Sequence, residues 1–306
     1  MKLSIIVPCY NEEGVTHLFY EEAIQHVVKC NCEYEMIFVN DGSRDKTLDE
    51  LRQLKQKDAH IVIVDFSRNF GKEAAMLAGL KEATGDLVVL MDADLQDPPY
   101  LLPEMIRYIV EEGYDSVATH RVDRKGEPPI RSFFARKFYR VINKMTEVEI
   151  VDGARDYRMM TRDMVDAIIS MPEYHRFSKG IFTWVGFKTK YVDFENVERV
   201  AGETKWSFWK LFKYALEGIV AFTTFPLRLA TIFGCLISSI AFVFMCYIMI
   251  KAVLVGDPVP GYPSLIVTIS LIGGIQLLVL GVMGEYLART YMESKHRPVY
   301  IIKKRY

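Results

Sequence analysis

The stretch VVLMDADLQDPP, Val88 to Pro99, sets three carboxylates, Asp92, Asp94 and Asp97, directly behind an apolar run. Like charges this close repel, and each resists leaving water unless positive charge lies between them. A merely solvated acidic turn is one reading; a cation held at the end of a buried strand is the other. A hard divalent ion, Mg²⁺ or Mn²⁺, takes oxygen ligands and commonly keeps substrate phosphates in its shell. Asp94, with Gln96 as a neutral oxygen donor, would hold such an ion against a diphosphate, and Asp92 would serve a neighbouring hydroxyl.

The elements around this turn favour the second reading. The apolar runs LSIIVPCYN, YEMIFVNDGS, HIVIVDFSRN, DLVVLMDAD and YDSVATHR alternate with helix-like stretches at Val15–Lys29, Thr47–Lys57, Lys72–Ala83 and Leu101–Glu112. Continuous β-branched runs separated by helices predict an α/β fold with a parallel sheet covered on both faces. Helix-start signals agree, among them Ser43 to Thr47 and the Asp97-Pro-Pro step before Leu101. In such sheets ligands bind beyond the carboxyl ends of the strands. The polar residues collect there: Asn11, Glu12 and Glu13 after the first strand, Asp41 after the second, Arg68 and Asn69 after the third, Asp92 to Asp97 after the fourth.

The last third has another character. Leu229 to Ile250 and Tyr262 to Gly284 are uncharged stretches of about 22 and about 23 residues, where a membrane-spanning helix needs ~20. A buried helical hairpin is the soluble alternative; two spans are the expectation. Lys210, Lys213 and Arg228 precede the first stretch and Arg289, Lys295, Arg297, Lys303, Lys304 and Arg305 follow the second, while the connecting turn has only Lys251 at its edge. The positive-inside rule then puts both termini in the cytoplasm. The expected division is residues 1–204 as a cytoplasmic catalytic domain, 205–228 as an amphipathic juxtamembrane segment, and 229–306 as a two-span hairpin with a basic cytoplasmic tail.

Composition removes several classes. A net charge of −1 over 306 residues offers no general attraction to nucleic acid. The cysteines (Cys9, Cys30, Cys32, Cys235, Cys246) form no CxxC pair, which reads as reduced and unpaired thiols. Cys30 and Cys32 have no second Cys/His pair to complete a metal site, and the histidines, His120 and His175 included, show no metal spacing. MKLSIIVPCYNEE turns polar too soon for a signal peptide and lacks a small-residue cleavage site.

SIIVPCYNEE, FVNDGSRDKT, SRNFGKEAAMLAGL and MDADLQDPP together resemble the family 2 glycosyltransferases of GT-A fold. With ARDYRMM, RFSKGIFTWVGF, GETKWSFWKL and two apolar C-terminal stretches, the set is similar to the bactoprenol (undecaprenyl-phosphate) glucosyltransferases, relatives of the dolichol-phosphate mannose synthases. The resemblance runs over nearly the whole chain. It implies a nucleotide-sugar donor, UDP-glucose first and UDP-N-acetylglucosamine or GDP-mannose as alternatives, a polyprenyl phosphate acceptor, and inversion at the anomeric carbon. A bacterial inner-membrane location, a flippase for the lipid-linked sugar as partner, and a role in cell-envelope glycan modification come with it. Gly234 and Ser238 form a small-xxx-small pair suited to helix packing, and a homo-oligomer is expected.

Carried over by position, Pro8, Tyr10, Asn11 and Glu13 would line the nucleoside, Asp41 would contact base or ribose, Lys72 would lie near the donor, and Asp92, Asp94 and Gln96 would serve ribose and metal. Lys72 alone reads equally well as a surface lysine at a helix start. Asp156 would position sugar or acceptor, because a phosphate monoester with a second pKa near ~6 needs little deprotonation; a base role and a structural pairing with Arg155 or Arg158 stay open. The segment HRVDRKGEPPIRSFFARKFYR could lay a helix, Ile130 to Ile142, on the membrane surface. Arg121 and Arg131 within it are the candidate phosphate ligands, with Arg124 and Lys125 left to solvent. GETKWSFWKLFKYALEGI begins as a loop over the donor with Lys205 as a site candidate, then becomes an aromatic-rich helix in the headgroup zone.

Three rivals are weaker. A processive polysaccharide synthase would carry a QxxRW motif, and none of Gln25, Gln53, Gln56, Gln96 or Gln276 begins one. A nicotinamide dehydrogenase would need GxGxxG after the first strand, where VPCYNEE stands. A non-catalytic scaffold that only binds nucleotide sugar would have no use for Asp94, Gln96 and Asp156.

Overall fold

The computed structural model describes residues 1–121, 151, 154–171, 173–194, 225–255 and 261–306. Two compact units are formed, Met1–Gly218 with Pro298–Tyr306, and Ile219–Arg297.

The first unit is built on a sheet of order β7-β5-β6-β4-β1-β2-β3-β8. Strands β1 (Lys2–Cys9), β2 (Glu33–Asn40), β3 (Ile61–Phe66) and β4 (Leu87–Leu90) are the apolar runs of the sequence. They pair in parallel, β1 with β2 and β4, and β2 with β3. Buried on both faces, they carry Ile5, Val7, Phe38, Ile63 and Val89 into the core. The sheet is mixed at its flanks. Strand β6 (Ala154–Thr161) runs antiparallel to both β4 and β5 (Ser116–Arg121), and β7 (Thr189–Phe194) lies parallel to β5. Because β6 is reversed, its first residues lie at the same edge of the sheet as the last residues of β4 and β5.

Helices α1 (Thr16–Val27), α2 (Thr47–Lys57), α3 (Lys72–Glu82) and α4 (Leu102–Val110) fill the connections, followed by α5 (Arg162–Ile169) and α6 (Ser178–Trp184). Helix α3 explains its own run of small residues. It is buried from Ala74 to Leu80, and a Cβ on Gly79 would stand 2.2 Å from Cγ2 of Ile6 on β1. Both helices start where those signals point, α2 at Thr47 and α4 at Leu102, though not through the first residue of either signal. Ser43 does not cap α2; its hydroxyl accepts the Asn11 amide at 3.0 Å, and Asp45 takes the Thr47 amide at 3.1 Å instead. Asp97 likewise caps no helix: a 3₁₀ turn, Pro99–Leu101, precedes α4, and Asp97 faces back into the acidic turn.

The last strand comes from the far end of the chain. β8 (Ile302–Arg305) pairs antiparallel with β3, and Tyr306 and Ile63 exchange backbone hydrogen bonds at 3.0 and 3.2 Å. Tyr300 stacks on Phe66 with centroids 5.0 Å apart, Arg305 grips Glu82 at the end of α3 at 2.7 Å, and Arg52 of α2 lies over the Tyr306 ring.

The second unit holds two long helices, α7 (Phe225–Val255, 31 residues) and α8 (Tyr262–Ser294, 33 residues). Both expected apolar stretches lie on them. Among the described residues one segment, Leu271–Ser294, is long and apolar enough to cross a membrane. Large apolar side chains stand exposed along both helices, including Ile232, Leu236 and Ile240 on α7 and Leu277, Leu280 and Leu287 on α8.

Candidate active site

The carboxyl edge of the sheet gathers most of the expected residues. The loop after β1 is knitted to the loop after β2: Asn11 Oδ1 accepts the Arg44 amide at 2.9 Å, the Glu13 carboxylate accepts the Lys46 amide at 3.3 Å, and Glu12 donates its amide to Thr47 Oγ1 at 2.9 Å. Asn11 takes the left-handed conformation (φ 53°) that this tight exit from β1 requires, one that asparagine tolerates better than most residues. Pro8 lies near the end of β1 opposite Val39, Cys9 closes the strand, and Tyr10 follows, half-buried.

Asp41, expected at the base or ribose, is buried and holds the next loop. Its two oxygens accept the amides of Phe70 and Gly71 at 2.6 and 2.9 Å and the Asn69 side chain at 2.9 Å. Burial raises its pKa against the pull of those amides. Gly42 makes the arrangement possible: its φ is +65°, and a Cβ there would stand 2.4 Å from the Arg68 carbonyl carbon. Asp41 thus sets the start of α3, whose first residue is Lys72.

Lys72 is the centre of the site. Its Nζ donates to Asp92 at 2.8 Å and to Asp156 at 2.7 Å, joining the end of β4 to the start of β6. The pairing of Leu90 with Arg158 anticipates this, since the same antiparallel register continued by two residues sets Asp92 opposite Asp156. Burial opposes the Lys72 charge, but Asp156 and Asp92 outweigh it and raise its pKa well above the ordinary lysine value. For Asp156, burial would raise the carboxyl; Lys72 first, then Lys179 and Arg155, hold it far below the usual carboxylate range. The structural pairing of Asp156 is therefore with Lys72, whereas Arg158 is buried with its guanidinium 4.6 Å from the Phe182 ring.

The acidic turn is internally braced. Leu95 adopts a left-handed φ of 57°, and Asp94 Oδ1 accepts the Gln96 amide at 3.2 Å. The Gln96 side-chain oxygen lies 3.5 Å from the Arg155 guanidinium, whose Nε stands 3.7 Å from Asp97. Asp97 is buried and accepts the Asp92 amide at 3.0 Å. Burial and the Asp92 charge push its pKa up to about 7, against the pull of Arg155. The three carboxylates of the turn thus separate into distinct places: Asp92 on Lys72, Asp97 buried under the turn, and Asp94 at its tip.

Three groups at this edge escape sequence reasoning. Glu73 accepts the amide of Ser178 at 3.1 Å and also its hydroxyl; burial and the Asp156 charge raise its pKa to about 7. A glutamate in the first turn of a helix ordinarily reads as a favourable surface charge, so nothing local marks it. Lys179 follows Ser178 and adds its charge to Asp156. Arg155, in sequence a candidate partner for Asp156, joins Gln96 and Asp97. Arg121 ends β5 at the same edge. Arg131, Lys205 and the expected helix from Ile130 to Ile142 lie outside the described residues, as do Arg124 and Lys125. Cys30 and Cys32 are free thiols, and His120 bonds Asp193 at 2.7 Å.

Among the described residues no three His, Cys, Asp or Glu side chains converge as a closed metal cage. What converges is a lysine between carboxylates at the carboxyl edge of a mostly parallel sheet, the edge where α/β folds of this class hold their ligands. Residues 4–169 match glycosyl transferase family 2. The chain belongs to that family, with its GT-A fold, and is a glycosyltransferase. Over 304 residues it is 43% identical to the "Prophage bactoprenol glucosyl transferase homolog" of Escherichia coli K12, covering 99% of each chain. It is 43% identical to the "Bactoprenol glucosyl transferase" of Shigella phage SfV, over 99% of this chain and 98% of that one. An "Uncharacterized glycosyltransferase" of Synechocystis is 44% identical, over 99% of this chain and 95% of that one.

Proposed function

We propose that this chain transfers glucose from UDP-glucose to a polyprenyl phosphate, undecaprenyl phosphate (bactoprenol) in a bacterium, at the cytoplasmic membrane. The observation that carries this reading is the extent of the match: identity to bactoprenol glucosyl transferases spans 99% of the chain, the two long helices as well as the catalytic sheet. Apolar side chains exposed along α7 and α8 suit a lipid surround, and we place both helices across the bilayer with both termini in the cytoplasm.

In the reaction a phosphate oxygen of the acceptor attacks the anomeric carbon, the bond from that carbon to the diphosphate breaks, and the nucleoside diphosphate departs with the electron pair. Two residues of the turn fit a divalent ion by donor chemistry: the Asp94 carboxylate and the Gln96 amide oxygen, an incomplete oxygen set that a diphosphate would finish. When bound, Mg²⁺ or Mn²⁺ supplies Lewis-acid stabilisation of the departing diphosphate. Pro8, Tyr10, Asn11 and Glu13 would wall the nucleoside, with Asp92 and Lys72 toward ribose and phosphate. Asp41 would act from beneath by fixing the loop that presents Lys72.

Asp156 is best read as a positioning group. A carboxyl held far below the usual range is a feeble base at neutral pH, and a largely dianionic phosphate acceptor asks little of one. Arg121, Arg131 and Lys205 are proposed as the cations toward the acceptor phosphate.

The test is direct: incubate the purified full chain with undecaprenyl phosphate and a panel of nucleotide sugars with Mg²⁺ or Mn²⁺, and identify the lipid product. Glucosyl phospholipid from UDP-glucose is expected. Product only from UDP-N-acetylglucosamine or GDP-mannose would replace the donor, and no lipid product with any donor would overturn the reading.

A further inference from the structure

Helix α6 is short, seven residues, and Phe177 before it offers no side-chain cap to its first turn. The acceptor comes from elsewhere. Both carboxylate oxygens of Glu73 stand 3.1–3.2 Å from the Ser178 amide, and one of them also takes the Ser178 hydroxyl. Glu73 is the second residue of α3, and the first, Lys72, reaches Asp156 at 2.7 Å. One turn of α3 therefore holds Asp156 with one side chain and the start of α6 with the next, and the residue after Ser178 is Lys179.

We propose that Glu73 is a positioning residue for the transfer reaction: by gripping the Ser178 amide and hydroxyl it holds Lys179 toward Asp156, so that this carboxylate is countered from α6 as well as from α3. The inference rests on the placement of Asp156 in the reading above. A lysine has a long, flexible stem, and its charge is held at one place only if its backbone is. Without an acceptor for its first amides, a two-turn helix is free to fray, and Lys179 moves with it. The grip has an electrostatic cost, since burial and the charge of Asp156 act against an ionised Glu73.

Four variants of the full chain test this: Glu73→Met, which fills similar space but accepts nothing; Glu73→Gln, which keeps an acceptor oxygen; Lys179→Met; and the double variant Glu73→Met with Lys179→Met. Glu73→Met is expected to lower kcat about ten- to a hundred-fold, the scale of a small misplacement at a reacting centre. Glu73→Gln should recover most of that loss, and nucleoside diphosphate binding without acceptor should change in neither. The double variant should be no slower than Lys179→Met, because one residue acts through the other. Losses that multiply instead, or a Glu73→Gln as slow as Glu73→Met, overturn the proposal.

A second readout needs no turnover. Under limiting acetic anhydride, the acetylation rate of Lys179, followed by mass spectrometry against exposed Lys57, should rise several-fold in Glu73→Met and stay unchanged in Glu73→Gln. An unchanged Lys179 rate in Glu73→Met overturns the grip whatever sugar is transferred, whereas a wild type that transfers nothing overturns only the proposed reaction. Should Glu73→Met fail to fold, Ser178→Ala removes one donor and must raise Lys179 acetylation to a smaller degree; no rise would refute the grip.

Discussion

Replacing Lys72 by Met keeps the stem and removes the charge that bridges Asp92 and Asp156. The bridge has two arms, at 2.8 and 2.7 Å. A shielded hydrogen bond to a charged group contributes ~1.5–3 kcal/mol, an exposed ion pair only ~0.2–1. Lys72 is 39% exposed, Asp92 36% and Asp156 22%, so the Asp92 arm belongs near the exposed end and the Asp156 arm between the two. Together they amount to about 2 kcal/mol, after discounting for solvent screening. For a unit of this size that is a fall in Tm of about 4–8 °C. The pH dependence carries a definite sign. Asp156 has a depressed folded pKa in the wild type, so its contribution is present above the unfolded carboxyl value and lost as pH falls through the folded one. Without Lys72, burial acts on Asp156 with less to oppose it, its folded pKa rises, and protonation relieves the uncompensated charge. The destabilisation should therefore be largest at pH 7–8 and shrink as pH falls toward ~4, near the unfolded carboxyl pKa. Thermal unfolding of the detergent-solubilised chain at several pH values measures it. A Lys72→Met variant that melts with the wild type at pH 7, or whose deficit is the same at every pH, refutes the bridge as a stabilising element.

Asp94→Ala should abolish transfer and its dependence on Mg²⁺ or Mn²⁺ with little change in Tm, because the side chain sits on a turn; near-normal transfer that chelation still stops would exclude Asp94 as a ligand. Glu73, with its pKa raised from 4.5 to about 7, binds more proton folded than unfolded between those values, so it lowers stability as pH rises across that window. Glu73→Gln should flatten that slope, by at most ~3 kcal/mol at 1.36 kcal/mol per pKa unit, and parallel melting-versus-pH curves would count against it. Gly42→Ala puts a Cβ 2.4 Å from the Arg68 carbonyl carbon at a φ of +65°, and should cost ~1–3 kcal/mol or more while loosening the Asp41 grip on the loop. Wild-type melting there would mean the loop yields freely.

The parallel half of the sheet is legible because its determinants are local. Ile61–Val64 and Leu87–Leu90 are continuous apolar runs, and Thr47–Lys57 begins and ends where its pattern does. The reversal at β6 is not legible, since strand direction depends on the connection from β5 rather than on the residues Ala154–Thr161 themselves. β8 is harder still: IKKR has no apolar face of its own and becomes a strand only by lying along β3. The site divides the same way. Asp92 and Asp94 stand out by type and position and Asp156 by the family resemblance, whereas the meaning of Glu73 lies in Ser178, 105 residues away, and that of Lys72 in Asp156, 84 residues away. No short-range pattern encodes such pairs.

The pairing of β8 with β3 also constrains the order in which the molecule can be made. Strands β1 to β4 and their helices are complete early in synthesis, and a domain of this kind folds as a unit while the rest of the chain is still emerging. The partner of β3 is not yet made at that stage, because residues 302–305 follow both long helices. Through the whole synthesis of α7 and α8, the nascent enzyme carries an open strand edge, the kind of surface on which chains aggregate. Completion of the catalytic sheet is thereby postponed until the helical pair has been translated, and a shortened chain ending before β8 would keep that edge open permanently.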